Sequence, residues 1–415
     1  MKQKRLRVLI LILVGLLLII SGCVYALTRP PKLDTTGYKV IDNVKVNVYS
    51  KARVKEFIES MNGKLITNNN INTQKLGEQE VKFIYENENG QKRMGIFNID
   101  VVDEEKPLVW LSSSYSTPVG ADINFEKEIF CADNYDSNPT CKVEGTYDIN
   151  TPGSYKLTYV AVDSSNNETR LPFTLNVYEP TPPDPEEENV QPEETPEQQE
   201  EVSTAFHEVV EEHKDKDTEI GIDVSKWQGD INFKKVKKAG ATFVMIRVGS
   251  QQGVNGEYIL DPYFKINVEN ATKNGLKVGV YFYSYADSKE ESKKQADWVL
   301  DQIKDYNITL PVAFDWECYN NFNEMELSIF GLNEVAESFL DTVEDAGYAG
   351  MLYGSKNYLN SIWKYHSYDV WLAHYTEKTD YDSHYVMWQL CQDGKIDGID
   401  TAVDINILYK NDNKK

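Results

Sequence analysis

Pro311-Val312-Ala313-Phe314-Asp315-Trp316-Glu317 is an apolar run that ends in two carboxylates two residues apart. Side chains alternate faces along a β-strand, so Asp315 and Glu317 leave the same side, next to each other, at the strand's C-terminal end. Catalytic groups collect at such ends in βα architectures, and a close carboxylate pair is what cleavage of a glycosidic bond requires. An isolated D-x-E is more often a solvated strand end. What sets this one apart is the pattern around it.

The last two hundred residues alternate short apolar runs with amphipathic stretches. Strand-length runs occupy 219–223, 242–247, 277–285, 310–315, 350–353 and 370–373, and helical patterns fill 233–239, 263–274, 289–306 and 328–346. Near-continuous apolar strands separated by helices mean a parallel sheet covered on both faces. A domain of this size, over 218–412, is expected to close it into a TIM-like α/β barrel of parallel strands.

Closure would gather distant acids at one mouth. Asp223 ends the first strand in Gly-Ile-Asp-Val-Ser-Lys-Trp-Gln-Gly, and Asp404 stands in Gly-Ile-Asp-Thr-Ala-Val-Asp-Ile-Asn-Ile-Leu near the end of the chain. Aromatics repeat the pattern: Tyr281, Tyr283 and Tyr285 alternate on one strand, with Trp371, Tyr375 and Trp388 near others. Sugar rings stack on such side chains, although each of these is as readily a core residue, and buried aspartates are often structural caps.

The successive motifs GIDVSKWQGDINFKKVKKAGATFVMIRVG, DPYFKINVENATKNGLKVGVYFYSYA, LPVAFDWE, VWLAHYT, MWQL and GKIDGIDTAVDINIL, in this order from about Ile220 to Tyr409, resemble those of glycoside hydrolase family 25, the lysozyme family of N-acetylmuramidases. The resemblance implies cleavage of the β-1,4 bond between N-acetylmuramic acid and N-acetylglucosamine in peptidoglycan. It makes Glu317 the general acid and Asp315 its partner, which in a substrate-assisted retaining route orients the substrate's N-acetyl group as that group attacks the anomeric carbon. A direct carboxylate nucleophile remains the other route. Asp223 and Asp404 would complete a polar floor, and Gln389, in the Met-Trp-Gln-Leu motif, joins the aromatics as a substrate-binding candidate. No cofactor or metal is called for. His374 and Cys391 stand where more ordinary residues are expected.

Before the barrel the chain repeats itself. Ile71-Asn-Thr73, Gly77, Val81–Tyr85 and Phe97–Val101 recur as Ile149-Asn-Thr151, Gly153, Tyr155–Tyr159 and Phe173–Val177, a period of about 76–78 residues that suits two small β-sandwiches. Residues 106–178 resemble bacterial Ig-like domains of surface proteins, and 36–105 do so more loosely; spacer or wall-contact roles follow from that resemblance. Cys131 and Cys141 enclose a short polar loop and form a disulfide candidate, while Cys318 and Cys391 are either buried fillers or a pair. Residues 179–217 read as a linker, since 179–202 hold ten acids, no base and six prolines. The stretch after it, 202–217, has helical character but charges that make it a poor core element.

At the start, the basic segment 1–7 precedes an almost wholly apolar segment, 8–27, long enough to cross a bilayer as a helix. The basic flank would stay in the cytoplasm and everything after Leu27 would lie outside, in contact with the wall. Ile20-Ser-Gly-Cys23 also resembles a lipobox, which would make Cys23 a lipid attachment site; the apolar residues continuing through Leu27 favour an uncleaved anchor. The 415-residue chain has a formal net charge of -23, which argues against nucleic acid as a partner. A monomer is expected. The rival readings are a wall-binding protein without catalysis, and an adhesin or spacer built on the β modules.

Overall fold

The computed structural model describes residues 30–180, 203–364 and 367–410. Segments 1–7 and 8–27 with Cys23, and linker residues 181–202, lie outside the described residues. Among the described residues no helix is long and apolar enough to cross a membrane. The chain divides into two compact units, Met1–Glu104 and Glu105–Lys415.

The first unit is built on an antiparallel hairpin of Gly77–Asn87 with Lys92–Val102, which Lys32–Leu33 and Lys45–Asn47 extend in parallel along the second strand. The turn is possible because Gly90 takes φ +70°, a conformation open to glycine without steric cost. Phe83, Tyr85 and Phe97 fill its core, and the Tyr85 hydroxyl donates to Asp34 at 2.7 Å.

The second unit opens with the other copy of the repeat. Gly153–Val162 and Glu168–Tyr178 form the equivalent hairpin, with Thr140–Glu144 antiparallel on one side and Ser114–Pro118 parallel on the other. Asp163 closes the hairpin by accepting the Asn167 N–H at 2.8 Å. A separate two-stranded ribbon pairs Leu108–Trp110 with Phe130–Ala132. Cys131 and Cys141 are disulfide-bonded, with Cα atoms 6.8 Å apart. Cys318 and Cys391 are buried and form no disulfide with each other.

The rest of this unit is a closed eight-stranded barrel: β1 Thr218–Val224, β2 Phe243–Gln251, β3 Lys277–Ser284, β4 Val312–Trp316, β5 Gly350–Ser355, β6 Asp369–Ala373, β7 Met387–Gly394 and β8 Val403–Tyr409. Strands β1 to β7 run parallel to their neighbours around the barrel, but β8 is antiparallel to both β7 and β1, which corrects the all-parallel expectation. The reversal is functional in its consequence. Because β8 runs the other way, its first residues, not its last, stand level with the C-terminal ends of the parallel strands.

Alternation along the strands builds two cores. On β4, Val312, Phe314 and Trp316 face the helices, while Ala313 joins Phe243, Met245, Met351, Trp371 and Met387 inside the barrel. The helices α2 Phe233–Lys238, α3 Phe264–Lys273, α4 Lys289–Ile303, α5 Ile329–Asp345 and α6 Lys356–Ser361 cover the outside. In α4, Ser292, Gln295, Ala296, Val299 and Ile303 are buried, the stripe that a helix packed on one face shows, and Ser288 caps its N-terminus. An earlier helix, α1 Phe206–His213, also packs here, with Phe206 and Val209 buried in the outer core. Its two apolar residues one turn apart outweigh its charges, so the segment expected to be a poor core element is part of the barrel.

Candidate active site

Asp223 and Asp404 are register partners across β1 and β8. Asp223 is buried, and its Oδ2 accepts hydrogen bonds from Gln389 Nε2 at 3.0 Å and Asn406 Nδ2 at 2.7 Å. Burial raises the Asp223 pKa, and these amides, with a hydrogen bond from Asp404, pull it back. Asp404 is pushed up to about 9, first by burial and then by the charge of Asp223 and the bond between them. With two amides already donating to it, Asp223 is the member of the pair that favours the charged form, and Asp404 the one that favours the proton.

The second pair lies across the barrel, on β4. Asp315, near the end of β4, is buried and is the register partner of Tyr283 on β3. Burial comes first in driving its pKa well above the ordinary carboxylate range, followed by the charge of Glu317 and a hydrogen bond to it. Its Oδ1 is buried without a hydrogen-bond partner. Glu317, one residue beyond the strand, is the exposed member: solvent reaches its side chain, yet the walls of the mouth crowd the carboxyl and this desolvation raises its pKa. Asp315 feels the charge of Asp223, and Asp404 that of Glu317, so the two pairs form one electrostatic cluster.

Three residues absent from the sequence reading complete it. Arg247 on β2 brings a positive charge that opposes the rise at Asp315, and it is held by Asp261 through Nε at 2.9 Å and Nη2 at 2.8 Å. Asn406 was legible by the same alternation that singled out Asp315 and Glu317, since it lies two residues after Asp404 on β8. Tyr353, at the end of the strand run on β5, donates to Gln389 Oε1 at 2.9 Å and thereby orients the amide that holds Asp223.

The expected sugar-binding residues divide. Tyr375 is 49% exposed, and its hydroxyl donates to Gln389 at 3.1 Å. Tyr283 is half-buried; its pKa is raised by burial and then by Glu317 and Asp315, and it pairs in register with Asp315, with Tyr285 at 5.4 Å between centroids. Gln389 is buried and acts through Asp223. Trp371 departs from expectation: it is 2% exposed, packs edge-on against Tyr281 and Tyr353, and donates from Nε1 to Asn406 at 2.8 Å. Its side chain supports the floor from inside the barrel and offers no face to a sugar, and Tyr281 packs beside it. A different indole is available. Trp227, 69% exposed, sits on the short turn Lys226–Gln228 just beyond Asp223. His374 is engaged by Thr379 at 2.8 Å, and Cys391 is buried, which accounts for both without chemistry.

Residues 222–399 match the sequence model of Glycosyl hydrolases family 25. The chain is 30% identical over 193 residues to Uncharacterized protein YegX of Escherichia coli (strain K12), covering 45% of this chain and 68% of that protein. The chain belongs to glycosyl hydrolases family 25. An autolytic lysozyme of Clostridium acetobutylicum is 26% identical over 191 residues, 45% of this chain and 54% of that protein. Among solved structures, a family 25 glycosyl hydrolase from Bacillus anthracis is similar at 25% identity and a TM-score of 0.42, covering 48% of this chain and 92% of that one.

As a family 25 glycosyl hydrolase the chain is a glycosidase, and cleavage of a glycosidic bond draws on a carboxyl pair of the kind that Asp315 and Glu317 form at the mouth. The matched span includes Asp223, Asp315 and Glu317; Asp404 lies five residues past its end and enters the site through β8.

Proposed function

We propose that this glycosidase is a peptidoglycan hydrolase of the muramidase type, cleaving the β-1,4 bond between N-acetylmuramic acid and N-acetylglucosamine with retention of configuration. The observation that carries the reading is the buried, unpartnered Oδ1 of Asp315 beside the exposed Glu317. An acceptor left unsatisfied inside a cleft is costly until a ligand donates to it. The N–H of a 2-acetamido group is the donor such an oxygen fits. Its approach favours the anionic form of Asp315, so the proton shared by the pair passes to Glu317 as substrate binds. Glu317 then protonates the leaving oxygen while the acetamido carbonyl oxygen, aligned through its N–H, attacks the anomeric carbon. In the second half Glu317 takes a proton from water, which opens the cyclic intermediate.

The lysozyme relatives support a wall substrate, and the apolar segment 8–27 supports a place on the outer face of the membrane. In that reading the two β modules are Ig-like.

The test is mass spectrometry of products from a defined muropeptide. New reducing ends on N-acetylmuramic acid are expected, with Glu317→Gln reducing turnover roughly 10²-fold or more. Reducing ends on N-acetylglucosamine, or lysis by Glu317→Gln at the rate of the parent protein, would overturn the reading.

A further inference from the structure

The module at 105–178 is packed against the segment that leads away from Glu317. Phe130 and Ala132 are buried in the barrel's outer core, and Leu108 and Trp110 pack on it. Trp110 is sandwiched between Phe130, at 4.0 Å and 20°, and Tyr358 of α6, at 4.9 Å and 24°. Tyr358 in turn lies 3.6 Å from Tyr319, which meets Trp316 edge-on at 5.1 Å and receives a hydrogen bond from Trp363 at 3.3 Å. An unbroken line of rings thus runs from the module to the strand of the carboxylate pair.

Polar contacts tie the same segment down. Asn323 accepts from the Cys131 N–H at 3.2 Å and donates to the Ile129 carbonyl at 2.9 Å. A few residues on, the first N–H groups of α5 are unpaired within the helix, as at every helix start. Here module carbonyls take them: Ile329 donates to Asp133 at 2.7 Å and Phe330 to Asn134 at 3.2 Å. At the other end, the Tyr319 N–H donates to the carbonyl of Glu317 at 2.9 Å. The segment 318–330 is therefore fixed to the module by its middle and far end, and to Glu317 by its start. The charge of Glu317 reaches both Tyr319 and Tyr358.

We propose that Trp110 and Asn323 are positioning residues for Glu317, the module serving as part of the catalytic unit by holding the 318–330 segment on which the geometry of Glu317 depends. The proposal rests on Glu317 being the acid. A spacer needs no such contacts, and a displacement of about 1 Å at a reacting group is enough to slow a reaction by up to about 10²-fold.

The experiment compares full-chain Trp110→Ala, Trp110→Phe and Asn323→Ala with Glu317→Gln on a soluble muropeptide, following kcat, KM and the pH profile. Trp110→Ala and Asn323→Ala are expected to lower kcat roughly ten-fold with KM little changed, and to move the alkaline limb of the profile, as the surroundings of Glu317 loosen. Trp110→Phe, which keeps a ring between Phe130 and Tyr358, should restore most of the rate. Asn323→Ala leaves the apolar contact intact and decides the matter if Trp110→Ala does not fold. Unchanged kcat and profile in Asn323→Ala, or a loss confined to KM, overturns the proposal while an inactive Glu317→Gln leaves the assignment of the acid standing. An active Glu317→Gln sinks that assignment instead.

Discussion

Asp223 and Asp404 face each other across β1 and β8, and Asp223 is the one that accepts the Gln389 and Asn406 amides. The pair therefore works as one acceptor and one donor. The donors Gln389, Asn406 and Asp404 converge on Asp223 and favour its charged form, whereas Asp404 needs only to donate. Asp404→Asn supplies a donor in the same place and is expected to keep most of the activity. Asp223→Asn leaves amide facing amide and costs about 1–3 kcal/mol for each donor left without an acceptor. Thermal unfolding and muropeptide turnover of the two variants check this; equal damage from both would contradict the assignment of the proton.

The same pair makes stability depend on pH with a definite sign. Asp404 has an ordinary value of 3.8 and a folded value of about 9. Below pH 3.8 both folded and unfolded chains carry the proton, and its contribution is fully present. As pH rises further the unfolded chain releases a proton that the folded chain retains, so stability falls until about pH 9, where the folded form ionises as well. Asp404→Asn cannot ionise and should flatten this decline. Calorimetry of parent and variant from pH 4 to 9 measures it, and parallel curves would refute the shift.

Activity follows the other pair. Asp315 and Glu317 interact strongly, so they lose their protons in two macroscopic steps that belong to the couple. With one proton present the site has both an acid and a base; with none it has no acid. The kcat/KM profile is therefore expected to be bell-shaped, its alkaline limb lying clearly above the ordinary glutamate value of 4.5. An alkaline limb at 4.5 would mean that burial does not tune the pair.

How far the sequence carried this site depends on which forces decide each part. Asp223, Asp315, Glu317 and Asp404 were legible because strand alternation and strand-end position are local properties. The direction of β8 was not, since Val403–Tyr409 reads as a strand in either sense, and only closure of the barrel against β1 selects one. Trp371 was misjudged for a related reason. A tryptophan on an apolar strand points into the barrel or out of it, and its depth along the barrel axis, which separates floor from mouth, is a tertiary quantity. Helix α1 was undervalued because charge composition hides two apolar residues on one face. The docking of the second module on 318–330 leaves no periodic trace at all, being made by carbonyls and a few rings.

The two tryptophans of contrasting depth give opposite kinetic signatures. Trp227 stands exposed beyond Asp223 with the Lys226 ammonium over its ring at 4.8 Å. Trp227→Ala is expected to raise KM for polymeric peptidoglycan several-fold, in keeping with the loss of one exposed aromatic contact of about 0.5–1.5 kcal/mol, and to leave kcat nearly unchanged. Trp371→Phe preserves the packing of the inner floor but removes the donor to Asn406, freeing the amide that holds Asp223. Its effect should appear in kcat, with KM for the polymer close to that of the parent protein. Steady-state kinetics on sonicated walls separates the two, and a KM effect from Trp371→Phe would mean that this buried indole meets the sugar after all.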